Sequence, residues 1–259
     1  MKKLVIVLLI SLMLAPVLAA GTKESVSVAA IVMLFKGDVQ ILPAGSAKWA
    51  KPVVGMSVKA KDIIKTGADS WLNIAFANGS IMRVSQNSTV EISLLSYDTK
   101  KKILKSESRI NIMGKVIASC KKLKKDQNTY DFYTPTAVAG VRGTELMVDV
   151  KDQETTYVAV FEGKLIVKDL VGEQGISKDD NEMMLDFLRE AVVNNNQVLE
   201  YKKGKGLPKA KAMGKEYDAD KKLSKQVKEE SLKLTASLAK KPAEKQWSNA
   251  DQLRKQAQK

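Results

Sequence analysis

"LNIAFANGSIMRV", Leu72 to Val84, places Leu72, Ile74 and Phe76 on one side of an extended segment, then Asn78-Gly79, then a second apolar run. Asn-Gly between alternating apolar segments is the strongest short-range signal for a β-hairpin, and it predicts a type I′ turn with two positive φ angles. Downstream, Val90, Ile92 and Leu94 alternate in the same way, as half-buried strands do. From about Val26 to Val167 short apolar runs are broken by Gly, Asn, Asp and Lys, with turn signals at roughly ten-residue spacing, which favours a sandwich, barrel or solenoid over a parallel α/β sheet. Three short echoes, "FKGDVQI", "IMGKVIA" and "FEGKLIV", put Gly37, Gly114 and Gly163 at turns between strands. Their spacing is too irregular for a sequence repeat.

The pattern changes after Ile176. "SKDDNEMMLDFLREAVV" offers Ser177 or Asp179 as an N-cap, Glu182 in the first turn, and Met184, Phe187, Leu188 and Val192 at helical spacing, predicting a helix near 179–193 packed on the core. "NNNQVLEYKKG" then reads as a turn and a closing strand ending at Gly204 and Gly206. Residues 205–259 are lysine-rich, with Leu223, Val227, Leu234 and Leu238 in helical period, Glu229 four residues before Lys233, and a break at Pro242. This segment is expected to be a basic helical or partly disordered tail. Trp247 within it is a partner anchor or folds back onto the domain. Trp49 and Trp71 are expected in the core or on a sheet face. The expected fold is therefore mainly β: many short strands in a solenoid-like or sandwich/roll domain over 26–204, with a packed helix and a helical tail.

The amino terminus has Lys2 and Lys3, an apolar run from Leu4 to Leu14, and Val17 and Ala19 at signal-peptidase spacing. This is the pattern of a cleaved export signal over 1–19, and it predicts a periplasmic or secreted protein. No cysteine follows the cleavage region, so a lipid anchor is not expected. The formal charge of +14 would suggest nucleic acid inside a cell. Export redirects it to no nucleic acid but to an acidic protein face, an anionic glycan or a membrane surface, or simply to solubility.

The chain contains no histidine and a single cysteine, Cys120. That removes the commonest general base and metal ligand and any intrachain disulfide. Asp179-Asp180 has no accompanying carboxylates at ligand spacing, and no nucleophile elbow is present. The expectation is no enzyme, no cofactor and no metal.

One further stretch stands out: "TPTAVAGVRGTEL", Thr134 to Leu146. Val141 has one parity, whereas Leu146, Val148 and Val150 have the other, so a continuous strand would need a one-residue slip, and a β-bulge at Gly140 or Gly143 would provide it. Arg142 would then staple backbone carbonyls or a carboxylate such as Glu145 or Glu162, or else meet an anionic ligand. This stretch resembles the hallmark of the FecR domain family, and "GDVQIL", "KWAKPVVGMSV", "KDIIKTGADSWLNIAFANGSIMRVSQNSTVEI" and "YVAVFEGKLIV" fall around it in that family's order, a likeness running from about Ile31 to Val167. The resemblance implies an exported all-β domain and a protein-binding role, with Thr134, Pro135, Gly140, Val141, Arg142, Gly143 and Thr144 as the motif. Its best-known members are iron-uptake regulators that control a sigma factor through a cytosolic segment and one transmembrane helix. Here an export signal stands where that cytosolic segment would be, and no internal transmembrane helix is expected. An unidentified envelope protein is the expected partner.

Overall fold

The computed structural model describes residues 28–110, 113–122, 129–169, 190–241 and 243–258. The expected export signal and residues 179–189 of the expected helix lie outside these. The strands are β1 (Ala30–Lys36), β2 (Val39–Leu42), β3 (Ser57–Val58), β4 (Ile63–Thr66), β5 (Trp71–Phe76), β6 (Ile81–Val84), β7 (Thr89–Asp98), β8 (Ile103–Ile110) and β9 (Gly114–Ser119). They continue as β10 (Thr129–Tyr133), β11 (Ala137–Val141), β12 (Glu145–Val150), β13 (Thr155–Glu162), β14 (Lys164–Asp169), β15 (Glu190–Asn194), β16 (Gln197–Lys202) and β17 (Lys211–Ala212). Three helices follow: α1 (Asp218–Lys240), α2 (Ala243–Gln246) and α3 (Ala250–Ala257).

The strands form two sheets, of order β17-β16-β13-β12-β9-β6-β5-β1-β3 and β15-β14-β11-β10-β8-β7-β4-β2. The chain lays down one or two strands in one sheet, crosses to the other, and advances along both, except that β3 sits outside β1 at the edge. Among the described residues every pairing is antiparallel except β8 with β10. The fold is thus mainly β, a sandwich built in solenoid-like order, and it is not a closed barrel.

Inward residues of both sheets make one core, with Ile74, Val84, Val116, Val148 and Leu199 facing Ile64, Val90, Leu104, Ile110 and Val167. The outer face of the nine-stranded sheet carries a second apolar cluster, Ile81, Ile117, Met147, Ala159 and Val198, covered by Val227, Leu234 and Ala250 of the helices and by Trp247 between α2 and α3. β5, β6 and β12 are therefore buried along almost their whole length, while β8 and β10 alternate. Strands covered on both faces lose the period-2 pattern.

The hairpin expected at Asn78-Gly79 forms, but its turn is not type I′. Only Gly79 takes a positive φ, +91°. The loop has three residues, closed by Phe76 N–H to Ser80 O at 2.9 Å and Gly79 N–H to Phe76 O at 2.9 Å. This is the type I turn followed by one left-handed residue. Asn78 stays out of the left-handed region and uses its side chain, accepting from Ser80 N–H at 3.0 Å and reaching the Tyr130 hydroxyl. Leu94 also departs from expectation: a bulge between Ile92 and Leu94 reverses the parity and turns Leu94 to solvent. Gly37, Gly114 and Gly163 all take positive φ where strands begin or end.

Residues 190–193, the last part of the expected 179–193 helix, are in strand β15, paired with β14. Val192 faces solvent there. Its helical spacing to Phe187 and Leu188 is outweighed by backbone bonding to a ready sheet edge. Of the segment 205–259, Asp218–Lys240, Ala243–Gln246 and Ala250–Ala257 form helices that pack on the domain. α1 ends before Pro242 as expected, and Trp247 folds back and is buried. Trp49 is exposed, contrary to expectation. Glu229 and Lys233 form no ion pair with each other, and the neighbouring Glu230 instead engages Asn73 and Arg83.

Candidate functional site

The Thr134–Leu146 motif is the passage from one sheet to the other. Ala137, Ala139 and Val141 face the core from β11, and Leu146, Val148 and Val150 face the same core from β12. The change of parity is the chain turning a corner at Arg142–Thr144, so no bulge at Gly140 or Gly143 is needed. Gly140 sits in a regular ladder opposite Asp131 and Ile166. The nearest bulge lies where β12 meets β13, between Glu145 and Leu146.

Each end of the passage is fixed by threonines. Thr134 Oγ1 accepts from Ala137 N–H at 2.9 Å, and the buried hydroxyls of Thr134, Thr136 and Thr156 bond one another, Thr136 to Thr156 at 2.7 Å. At the corner Thr144 Oγ1 donates to Lys164 O at 2.7 Å and Thr144 O accepts from Cys120 N–H at 3.0 Å. Gly143 has φ +66°, and a Cβ there would lie 2.4 Å from Lys122 Cβ. Only glycine suits both the angle and the approach.

The expected Arg142 staple is not formed. Glu145 and Glu162 are held by Lys228 of α1, at 2.7 and 2.5 Å. Among the described residues Arg142 makes no hydrogen bond or ion pair, and its side chain is exposed. Its charge is felt by Asp131: burial, then repulsion from Glu107, raise the Asp131 carboxyl above the usual range, and Arg142 opposes that rise. Lys122 and Lys164, also exposed, flank the corner. Hydrogen bonds to Glu145 and Glu162 hold the Lys228 ammonium above its ordinary value, while burial lifts the Glu145 carboxyl despite Lys228.

The opposite end of β12 borders a cleft of about 720 Å³ between the nine-stranded sheet and the start of α1. Lys115 Nζ lies 3.0 Å from Asp220 and 3.4 Å from Asp149, and Lys151 is 2.8 Å from Asp149. Burial acts against the Lys115 ammonium, but the two carboxylates outweigh it and raise its pKa. Beside them Arg83, only 4% exposed, donates from Nε to Asn73 Oδ1 at 2.6 Å and lies 4.3 Å over the Trp71 ring. Burial lowers the Arg83 pKa, and Glu230 opposes that. Nothing in the motif points to this cleft. Its one legible trace is that Arg83 and Asp149 are charges inside apolar strands, outward-facing where the helix layer later covers the sheet.

Burial pushes the Cys120 thiol well up, leaving it inert. Among the described residues no three His, Cys, Asp or Glu side chains cluster to hold a metal, and no helix is long and apolar enough to cross a membrane.

Residues 62–165 match the family model described as FecR protein. This part of the chain is a FecR domain. The match contains the motif, the corner and most of the cleft. It begins later than the expected Ile31, and it leaves out β1–β3, β15–β17 and the helices that cover the outer face. Two crystal structures of a candidate anti-sigma factor from Parabacteroides distasonis ATCC 8503, at 1.65 and 2.50 Å, resemble the chain with TM-scores of 0.42 and 0.41 at 12% and 13% identity. In each case 61% of this chain and 62% of the other is covered, so the chain spans less than two thirds of those proteins. No curated protein matches the chain.

Proposed function

We propose that this is an exported envelope protein whose FecR domain binds another envelope protein at the Arg142 corner. The observation that carries the reading is the contrast within the motif. Its threonines and Gly143 are fully engaged in fixing the backbone, whereas Arg142 is left exposed with its charge uncommitted. Functional groups are commonly displayed on short connections held by a rigid scaffold, and an arginine in that setting suits a carboxylate on a partner. Lys122 and Lys164 extend the cationic character, which favours an acidic protein face. Export is supported by the Lys2-Lys3 start and the apolar run after it. A role as accessory to a cell-surface signalling system is a second reading, favoured by the FecR domain itself.

The test is in-cell cross-linking and pull-down from envelope fractions, comparing the parent with Arg142→Glu and with Lys122→Glu. Arg142→Glu should lose its cross-linked partner while melting like the parent, and Lys122→Glu should weaken capture. An unchanged partner set, or a protein found only in the cytosol, refutes the reading.

A further inference from the structure

The Arg83 cleft lies away from the corner, and it contains polar groups that the fold leaves unfilled. Among the described residues, Arg83 Nη2 is buried and donates no hydrogen bond, and neither does the buried Ser85 Oγ find a partner. The nearest carboxylate oxygen to Nη2 is Glu230 Oε1 at 3.7 Å, beyond hydrogen-bond range. Buried N–H groups on a charged side chain are seldom left without an acceptor. Both residues line the open cleft, with the two unpaired atoms just beneath its wall, so an acceptor in the cleft meets them on a small shift of these side chains.

The charge pattern limits what that acceptor belongs to. The lysine–aspartate network at the far wall is internally neutralised. Of the remaining lining charges, Lys36 and Asp69 have no hydrogen-bond or ion-pair partner for their side chains among the described residues. Arg83 is the third remaining lining charge, offset from behind by Glu230, so the cleft presents two cations and one free carboxylate, which match a ligand bearing one charge of each sign. The volume falls within the range of small-molecule sites, about 300 to 1,000 Å³.

We infer that this cleft binds a short zwitterionic peptide, its carboxylate received by Arg83, Ser85 and Lys36 and its ammonium by Asp69. The inference stands apart from the proposed partner site, because the two lie at opposite ends of β12 and are read by different variants.

Calorimetric titration of the full chain, paired with NMR of the Trp71 indole N–H, tests it with four probes: alanyl-alanine, its N-acetyl form, its C-terminal amide, and glucose. Alanyl-alanine should bind saturably and shift Trp71. Each blocked form should bind about tenfold or more weakly, since a hydrogen bond to a charged group is lost, and glucose should not bind. Arg83→Lys, which keeps the charge and loses the fork, should weaken the dipeptide. Because that variant could misfold, Lys36→Ala and Asp69→Asn at the surface are measured as well. Both should lower affinity with melting unchanged, and Asp69→Asn should abolish the preference for a free amine. Absence of dipeptide binding up to about 20 mM, equal binding of the acetylated and free forms, or comparable binding of glucose would each overturn the assignment.

Discussion

Replacing Arg254 with alanine probes whether the helix layer is part of the folded unit. The Arg254 guanidinium, in α3, donates from Nη1 to Asp62 Oδ2 at 2.5 Å and from Nη2 to Asp62 Oδ1 at 2.6 Å, and from Nη1 also to Ser57 O at 3.0 Å. Asp62 is fully buried and accepts in addition from Ala44 N–H and Lys59 N–H, each at 2.9 Å. The alanine variant removes the counter-ion and strands a carboxylate at zero exposure. Breaking a buried pair from one side costs about 3 to 5 kcal/mol. In a chain of this size each kcal/mol moves Tm by about 2 to 4 °C, so a drop of roughly 6 to 20 °C is expected. Thermal and urea melts followed by circular dichroism, with fluorescence of the buried Trp247 reporting the helix layer, read the effect. Asp62→Asn in the Arg254→Ala background should recover part of the loss, because the residual charge is gone and a double-mutant cycle then shows strong coupling. Replacing both partners together with Met and Leu should still destabilise, because Ala44 N–H and Lys59 N–H lose their acceptor. An Arg254→Ala protein that melts with the parent would show that α3 does not dock on β3 and that the outer face is open.

Gly143→Ala should cost about 1 to 3 kcal/mol from the positive φ alone, with the Lys122 backbone contact adding to it; an unchanged urea midpoint would contradict the corner geometry. Arg142→Ala should change stability by no more than about 0.5 kcal/mol, and a larger loss by the same melt would restore the staple. The Lys228 pKa is raised in the fold, so its stabilisation is complete below the unfolded-state value of 10.5 and fades as pH climbs through the higher folded value. Lys228→Met should flatten the loss of stability above pH 10.5, and identical alkaline profiles would dismiss the Lys228 bridge. Truncation after Gly206 bares the apolar outer face of the nine-stranded sheet, so the product should aggregate or bind a hydrophobic dye; a soluble, cooperatively melting fragment would mean that the face needs no cover.

The tertiary structure also alters the meaning of the lysine-rich segment. Read alone, residues 205–259 look like a cationic attachment device. In the fold Lys228 is spent on Glu145 and Glu162, Lys221 donates to Asn196 at 2.7 Å, and Ser231 donates to Gly79 O at 2.5 Å. Lys222, Lys225, Lys233 and Lys240 remain on the solvent face, where they serve solubility or a surface contact.

Local chemistry determined the β character of residues 30–167, the Asn78-Gly79 hairpin, the break at Pro242 and the FecR likeness, because turn residues and period-2 patterns depend on neighbours in sequence, whereas β15 depended on the sheet edge offered by β14. The parity change across Val141 and Leu146 was visible too, but sequence could not distinguish a bulge from a crossing, since either reverses the face of a strand. The Asp62–Arg254 pair, the cover over Ile117 and Met147, and the cleft around Arg83 join residues tens to nearly two hundred positions apart. Such contacts leave no periodic trace, and only packing of the helix layer on the second face of the sheet brought them together.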